Sequence, residues 1–202
     1  MTRPTAGSVR AALREATRDA HGRLDAHPLM ADLLDGGAGI ARYGRLLQSY
    51  AALYAALESA IDGAAVHVPP GFDWPKRRKL PWLEADLRAL GVAPGGTQPD
   101  AAATAPVVAS RAALIGMLYP LEGATLGGQA ISVRLRRAMG IDASNGGRFF
   151  AGYGDETRAR WQATCLALEE ILGDDEAVGV AVAQAVGVFE RFAVALDEAA
   201  RD

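Results

Sequence analysis

The N-terminal part of the chain carries a histidine in line with three arginines. Arg10, Arg14, Arg18 and His21 follow one another at steps of four, four and three residues, so they share one stripe of a helix. A neutral imidazole can bind a metal ion, and guanidinium groups pair well with carboxylates. The stripe borders the apolar face of the helix. It would therefore suit a ligand that offers a metal, an apolar body and acidic groups.

The chain has three histidines, and the other two lie in places that are less favourable for metal binding. His27 precedes a proline near a predicted helix end, and His67 lies in a proline-rich loop, so we expect both to be solvated. Taken alone, the first helix favours a plainer interpretation than a metal site. That interpretation is an ordinary amphipathic helix with a half-buried His21.

A second unusual segment lies near the middle of a long predicted helix. Gly123, Ala124, Gly127 and Gly128 occupy positions i, i+1, i+4 and i+5, so they form one face that is almost free of side chains. Glycine inside a helix costs about 0.5–1 kcal/mol relative to alanine, so these glycines need a compensating role. The face could admit a planar ligand or pack closely against another helix, and the pattern alone does not separate the two.

Helical periodicity extends over most of the chain, and no segment of useful length shows the alternation of a β-strand. Half of the residues are hydrophobic, and the abundant alanine, leucine, arginine and glutamate favour helices. We therefore predict an all-α protein with a single domain over residues 1–202, of which 1–7 form a flexible N-terminus. The predicted helices span about 8–26, 40–61, 82–90, 107–139, 156–172 and 175–199, with a short turn over 29–34 and the main loop over 91–106.

The net charge, the cysteine content and the hydropathy of the chain count against several classes of function. The net charge of −3 gives no reason to expect nucleic acid or an anionic membrane as partner. Cys165 is the only cysteine and there is no secretory pattern, so we predict a cytoplasmic protein. The apolar run over 177–189 is shorter than the roughly 20 residues that span a bilayer. The chain has no Glu-x-x-His pair, which counts against a di-iron carboxylate bundle.

Two segments together resemble the haem oxygenase family, particularly its bacterial branch. Leu13–His21 is similar to the family's proximal helix, whose histidine ligates the haem iron. Leu121–Gln129 is similar to the kinked distal helix over the oxygen-binding face. Their order and their separation of about a hundred residues also agree with the family. The resemblance extends more weakly to Tyr50–Ile61, to Arg78–Leu87 and to Phe149–Trp161.

The resemblance implies an all-α, multi-helix bundle in which haem is sandwiched between a proximal and a kinked distal helix. His21 would ligate the iron, and Gly123, Gly127 and Gly128 would form the catalytic distal face. The arginines among the haem contacts would fix the rotation of the ring through its propionates. The side chains implied to contact haem are Arg14, Thr17, Arg18, Tyr54 and Arg158.

The resemblance also implies an enzyme that cleaves haem oxidatively to biliverdin, carbon monoxide and ferrous iron. Haem would be both cofactor and substrate, and dioxygen and an external reductant would be consumed. The implied partners are haem, an electron-donor protein or small reductant, and a biliverdin-accepting protein. We expect a cytoplasmic monomer that binds neither nucleic acid nor a membrane.

One departure from the family keeps other functions open. Many members carry an aspartate on the distal helix that anchors a water network, and the matching position here is Ala124. A haem- or tetrapyrrole-binding carrier or sensor of the same fold, without turnover, is therefore an alternative. A plain helical interaction domain, which would bind no haem, is another.

Overall fold

The computed structural model describes residues 6–35, 37, 39–93, 106–171 and 174–201, and these residues form helices with no strand. The all-α prediction is therefore confirmed. Three short 3₁₀ helices connect the α-helices, over Ala65–His67, Trp74–Arg77 and Gly154–Glu156. The α-helices of the described part are α1 (Ala6–Asp25), α2 (Pro28–Asp35), α3 (Gly39–Gly63), α4 (Leu80–Ala89), α5 (Arg111–Met139), α6 (Arg148–Ala151), α7 (Thr157–Ile171) and α8 (Asp175–Ala200).

Most boundaries of the predicted helices agree with the sequence to within about two residues. The long helix α5 begins at Arg111 rather than near 107, because the side chain of Ser110 caps it by accepting a hydrogen bond from Ala113 N at 3.1 Å. Its other end is closed by Gly140 in the left-handed conformation (φ 70°). The predicted turn over 29–34 is a full helix, α2, and α6 was not predicted.

Two predictions fall wholly or partly on residues outside the described ones. The predicted flexible N-terminus covers 1–7, of which 1–5 lie outside, while α1 already begins at Ala6. The helix thus starts two residues before the predicted boundary at residue 8. Most of the predicted loop over 91–106 also lies outside the described residues.

Helix α8 forms the centre of the bundle and packs against α1, α3 and α5. Its contact with α5 is very close, because a Cβ added at Gly116 would lie 2.2 Å from the carbonyl oxygen of Ala181. At 26 residues, α8 is longer than the apolar run seen in the sequence, and by length and composition alone it could cross a membrane. Ala185, Val188 and Leu196 on one side of α8 are buried in the bundle, which explains why that side is apolar.

Buried carboxylates hold the short helices in place. Glu58 of α3 accepts hydrogen bonds from the backbone N–H groups of Lys79 and Leu80 at 2.6 and 3.0 Å, and so secures the start of α4. Asp86 of α4 accepts the N–H groups of Arg148 and Phe149 at 2.8 Å each, which secures the start of α6. Burial raises the pKa of both carboxyl groups, and the backbone donors oppose that shift.

Candidate functional site

A cavity of about 690 Å³ lies between α1, α5 and α8. Its volume falls within the roughly 300–1,000 Å³ typical of small-molecule and cofactor sites. Apolar and aromatic side chains form most of its surface, while α1 contributes the charged groups. The site therefore suits a largely apolar ligand with a few polar attachment points.

His21 lies in this cavity with one ring nitrogen already engaged. Its Nδ1 lies 2.9 Å from Oδ2 of Asp25, one helical turn further along α1. Because a carboxylate only accepts hydrogen bonds, this contact places a proton on Nδ1, and in the neutral imidazole Nε2 is then the nitrogen that carries the lone pair. The imidazole is 61% exposed and lies 5.8 Å from the ring of Phe189, measured between centroids. This is the arrangement that a metal-ligating histidine requires.

The other two histidines are placed differently. Nδ1 of His27 accepts the backbone N–H of Leu29 at 3.2 Å, and Nε2 lies 3.3 Å from Asp197. Nδ1 therefore holds the start of α2 and Nε2 contacts α8, so His27 is only 14% exposed and is not solvated as expected. His67 ends the 3₁₀ helix over Ala65–His67 and does not line the cavity.

The glycines on the face of α5 have different surroundings, some open to the cavity and some packed against other helices. A Cβ added at Gly127 would have no neighbour within 4 Å, so this position is open to the cavity that it lines. A Cβ at Gly123 would lie 3.6 Å from the ring of Trp161, an ordinary contact. A Cβ at Gly128 would lie 2.8 Å from the carbonyl oxygen of Phe150, so this glycine permits close packing against α6. Close packing is therefore the role of Gly128, while Gly127 leaves the open space that a ligand would need.

Three expected haem contacts on α1 line the cavity. Arg14 and Arg18 are exposed at its edge, and Arg18 pairs with Glu15, whose side chain is also exposed. Exposed pairs of this kind contribute little to stability, so Arg18 can exchange partners at small cost. Thr17 is buried, and its hydroxyl donates to the carbonyl oxygen of Leu13 at 2.7 Å. It therefore lines the cavity through van der Waals contact rather than as a free hydrogen-bond donor.

Two expected contacts, Tyr54 and Arg158, lie outside the cavity lining. The ring of Tyr54 is fully buried behind Phe149 and Phe192, at centroid distances of 5.3 and 5.8 Å, because α3 turns Tyr50 toward the cavity instead. Burial holds the pKa of Tyr54 well above its usual value. Arg158 is exposed on α7, the helix from which Trp161 reaches the cavity.

Several cavity residues were missed by the sequence analysis. Asp25 could have been found, because it lies four residues after His21 on the same helix. Phe189 and Phe192 give no such signal, since about 170 residues of chain separate them from His21. Only the packing of α8 against α1 brings them to the same site.

A buried ion cluster lies on α5 directly before the glycine face. The carboxylate of Glu122, 1% exposed, accepts hydrogen bonds from Arg77 at 2.6 Å, from the hydroxyl of Tyr153 at 2.9 Å, and from Lys79. The ammonium of Lys79 also donates to the carbonyl oxygen of Arg77 at 2.7 Å. Burial lowers the pKa of Lys79, although Glu122 opposes that shift. The carboxylate of Glu122 is thus fully committed to this cluster rather than to the cavity.

The family model described as Heme oxygenase matches residues 8–198. A curated relative named Heme oxygenase, from Xanthomonas campestris pv. campestris (strain 8004), is 35% identical over 160 residues, which cover 79% of this chain and 91% of the relative.

Solved structures of similar fold include haem oxygenases from three bacteria. The NO- and CO-bound enzyme of Neisseria meningitidis superposes with a TM-score of 0.78 at 21% identity, over 95% of this chain and 91% of that one. The Leptospira interrogans protein gives a TM-score of 0.76 at 18% identity, over 94% and 99% of the two chains. Heme oxygenase-1 of Synechocystis sp. PCC6803, in complex with heme, gives 0.67 at 18% identity, over 95% and 90%. Because the family match runs from residue 8 to residue 198, this chain belongs to the haem oxygenase family.

Proposed function

We propose that this protein is a haem oxygenase that cleaves haem to biliverdin, carbon monoxide and ferrous iron, using dioxygen and external electrons. The observation that carries the proposal is that one cavity is lined both by His21 and by the glycine face of α5. Family membership supports the same reaction, since the relative from Xanthomonas bears the name Heme oxygenase.

The cavity offers a counterpart to each part of haem, which has an iron, a large apolar ring and two carboxylates. Nε2 of His21 is free to bind the iron, and the rings of Phe189 and Phe192 give apolar contact. Arg14 and Arg18 lie at the exposed edge, where they can pair with carboxylates. When bound, haem supplies both the iron that activates dioxygen and the ring that is oxidised.

Asp25 serves His21 by accepting a hydrogen bond from its Nδ1, which fixes the orientation of the ring and of Nε2. We expect Asp25→Ala to lower haem affinity by about 10- to 100-fold, as is typical when such a partner is lost. Asp25→Asn should recover part of the loss, because its amide oxygen can still accept a hydrogen bond. A haem titration followed by absorption measures the effect.

Asp19→Ala is the matched control, since Asp19 is an exposed carboxylate of the same helix that does not line the cavity. Its haem affinity should equal that of the unmodified protein. Equal losses in both variants would mean that helix charge, rather than contact with His21, is responsible.

The distal side of the site carries no carboxylate from α5. Ala124 lines the cavity, and Asp25 is the one carboxylate among the described residues that do so. Tyr50 and Tyr119 bring hydroxyl groups, and burial raises the pKa of both, so they remain protonated donors near neutral pH. Protons would therefore reach the site through hydroxyl groups and water rather than through an acidic residue on α5.

Arg14 and Arg18 are proposed to set the rotation of the ring and thereby the meso carbon that is cut. Replacing either with glutamine should weaken haem binding by about two- to fivefold, the range of an exposed ion pair, or change the ratio of biliverdin isomers. Arg158→Gln is the matched control, because Arg158 is exposed and lies outside the cavity lining. A change in the Arg158 variant alone would place a propionate at α7, as the family resemblance suggests. Chromatography of the biliverdin isomers separates these outcomes.

The second candidate is a carrier or sensor that binds haem without turnover, and Ala124 in the cavity lining is the observation that favours it. Purified protein should first be titrated with haem, which should bind at about one molecule per chain with a histidine-ligated spectrum. Dioxygen and a chemical reductant are then added. Biliverdin and carbon monoxide support the oxygenase, bound haem that stays intact supports the carrier, and failure to bind haem supports a plain interaction domain.

An electron-donor protein or small reductant supplies electrons, and a biliverdin-accepting protein removes the product. The protein acts as a cytoplasmic monomer.

A further inference from the structure

The guanidinium of Arg77 joins two helices that line the cavity, although Arg77 itself does not line it. Its Nη1 donates to Glu122 of α5 at 2.6 Å. The same nitrogen donates to the hydroxyl of Thr164 and to the carbonyl oxygen of Arg160, both on α7, at 3.1 and 3.4 Å. Arg77 is 6% exposed, and its guanidinium lies 4.0 Å from the ring centroid of Phe72. Arg77 is therefore a buried bridge between α5 and α7.

The bridged residues flank the place where α7 meets the glycine face. Glu122 directly precedes Gly123, and Trp161 lies between Arg160 and Thr164 along α7. Gly123 and Trp161 both line the cavity, and a Cβ added at Gly123 would lie 3.6 Å from the tryptophan ring. A change at Arg77 that shifted α7 relative to α5 would thus change the distance between Trp161 and the glycine face.

We propose that Arg77 is a positioning residue that holds Trp161 against the glycine face and so sets the room available at that edge of the bound haem. This inference rests on the function proposed above. The choice of arginine is physically specific, because its planar guanidinium lies over the ring of Phe72, and this fixes the direction in which Nη1 donates to α5 and α7. A lysine at this position would keep the charge next to Glu122, but its flexible stem and freely rotating N–H groups would hold α5 and α7 less rigidly, and it has no planar group to lie over Phe72.

The test compares Arg77→Lys and Arg77→Met with Arg78→Lys. Arg78 is the neighbouring residue and pairs with Asp62, and both side chains are about 40% exposed, so this variant controls for changes in the same segment. The first measurement uses apo-protein labelled with 5-fluorotryptophan. The three tryptophans give three ¹⁹F resonances, of which Trp161 is assigned with Trp161→Phe. The second measurement is the isomer ratio of biliverdin formed by the haem-loaded protein.

We expect both Arg77 variants to shift the Trp161 resonance and to change the isomer ratio by about threefold or more, because small misplacements at a reacting site have large effects. Arg78→Lys should change neither. Arg77→Met should also unfold about 10 °C lower, since Glu122 loses a buried charged partner, whereas Arg77→Lys, which keeps the charge, should unfold less far below the unmodified protein. A lower unfolding temperature with an unmoved Trp161 resonance and an unchanged isomer ratio would mean that Arg77 is only structural, and would overturn the proposal.

Thr164→Val keeps the test decisive if the Arg77 variants fail to fold. It removes the 3.1 Å hydrogen bond from Arg77, together with the one that the hydroxyl donates to the carbonyl oxygen of Arg160 within α7, and it preserves the shape of the side chain. The proposal requires a smaller shift of the Trp161 resonance in the same apo measurement, and no shift would refute it. If the unmodified protein fails to convert haem, the proposed function falls, while the ¹⁹F measurement still reports on Arg77.

Discussion

Replacing His21 with alanine should remove histidine ligation of haem and lower ring opening by more than about 100-fold. The loss should exceed the 10- to 100-fold typical of a missing hydrogen-bond partner, because the ligand itself is gone. The fold should be little affected, since the imidazole is 61% exposed and surface substitutions usually change stability by less than about 0.5 kcal/mol. Absorption spectra of the haem complex and thermal unfolding of the apo-protein measure the two effects separately.

His27→Ala is the matched control for this variant. His27 accepts the backbone N–H of Leu29 and contacts Asp197, so its loss should cost about 1 kcal/mol of stability, as the loss of a helix cap does. Haem ligation should persist. Added imidazole should restore a histidine-like spectrum to His21→Ala by occupying the space of the missing ring. An unchanged spectrum in His21→Ala without imidazole would assign the ligand to another residue.

Gly127→Leu should slow or abolish ring opening while leaving the apo-protein at least as stable as the unmodified one. Gly127 lines the cavity and has open space around the position of a Cβ, so a leucine side chain would occupy room that the ligand needs. The apo-protein gains helix propensity worth about 1 kcal/mol. Ligation by His21 should be retained. Single-turnover conversion of haem and thermal unfolding should be measured on the same sample.

Gly128→Ala, at the neighbouring position, should have the opposite effect on the stability of the apo-protein. Its Cβ would lie 2.8 Å from the carbonyl oxygen of Phe150, so α5 and α6 would have to separate. Overpacking of this kind costs about 1–3 kcal/mol. The variant should therefore lose stability as apo-protein. If Gly127→Leu also destabilises the apo-protein and turns over haem normally per folded molecule, then Gly127 serves packing and the interpretation of the cavity is wrong.

The sequence alone was enough to predict helices and the residues that share a helical face. Helical periodicity is local, so the stripe from Arg14 to His21 and the face from Gly123 to Gly128 could be read from spacing. One face of α1 lines the cavity, and that face carries Arg14, Thr17, Arg18 and His21. The family resemblance rested on these same two segments, and the match over residues 8–198 confirms it.

Rotation of a helix about its axis was decided only by tertiary packing. Tyr50 and Tyr54 lie one turn apart on α3, and nothing local determines that Tyr50 reaches the cavity while Tyr54 packs behind Phe149. Arg158 and Trp161 differ in the same way on α7. Their environments depend on which neighbours cover each part of the helix surface, and those neighbours are distant in the sequence.

The bridge formed by Arg77 could not be foreseen for the same reason. Its partners lie 45 and 87 residues further along the chain, at Glu122 and Thr164. A basic segment near residue 77 normally predicts an exposed, solvated surface, because an isolated charge is costly to bury. Burial becomes favourable only when packing brings a carboxylate and a hydroxyl to the guanidinium. Local spacing therefore determined which residues share a helix face, and the packing of helices decided which face meets the ligand.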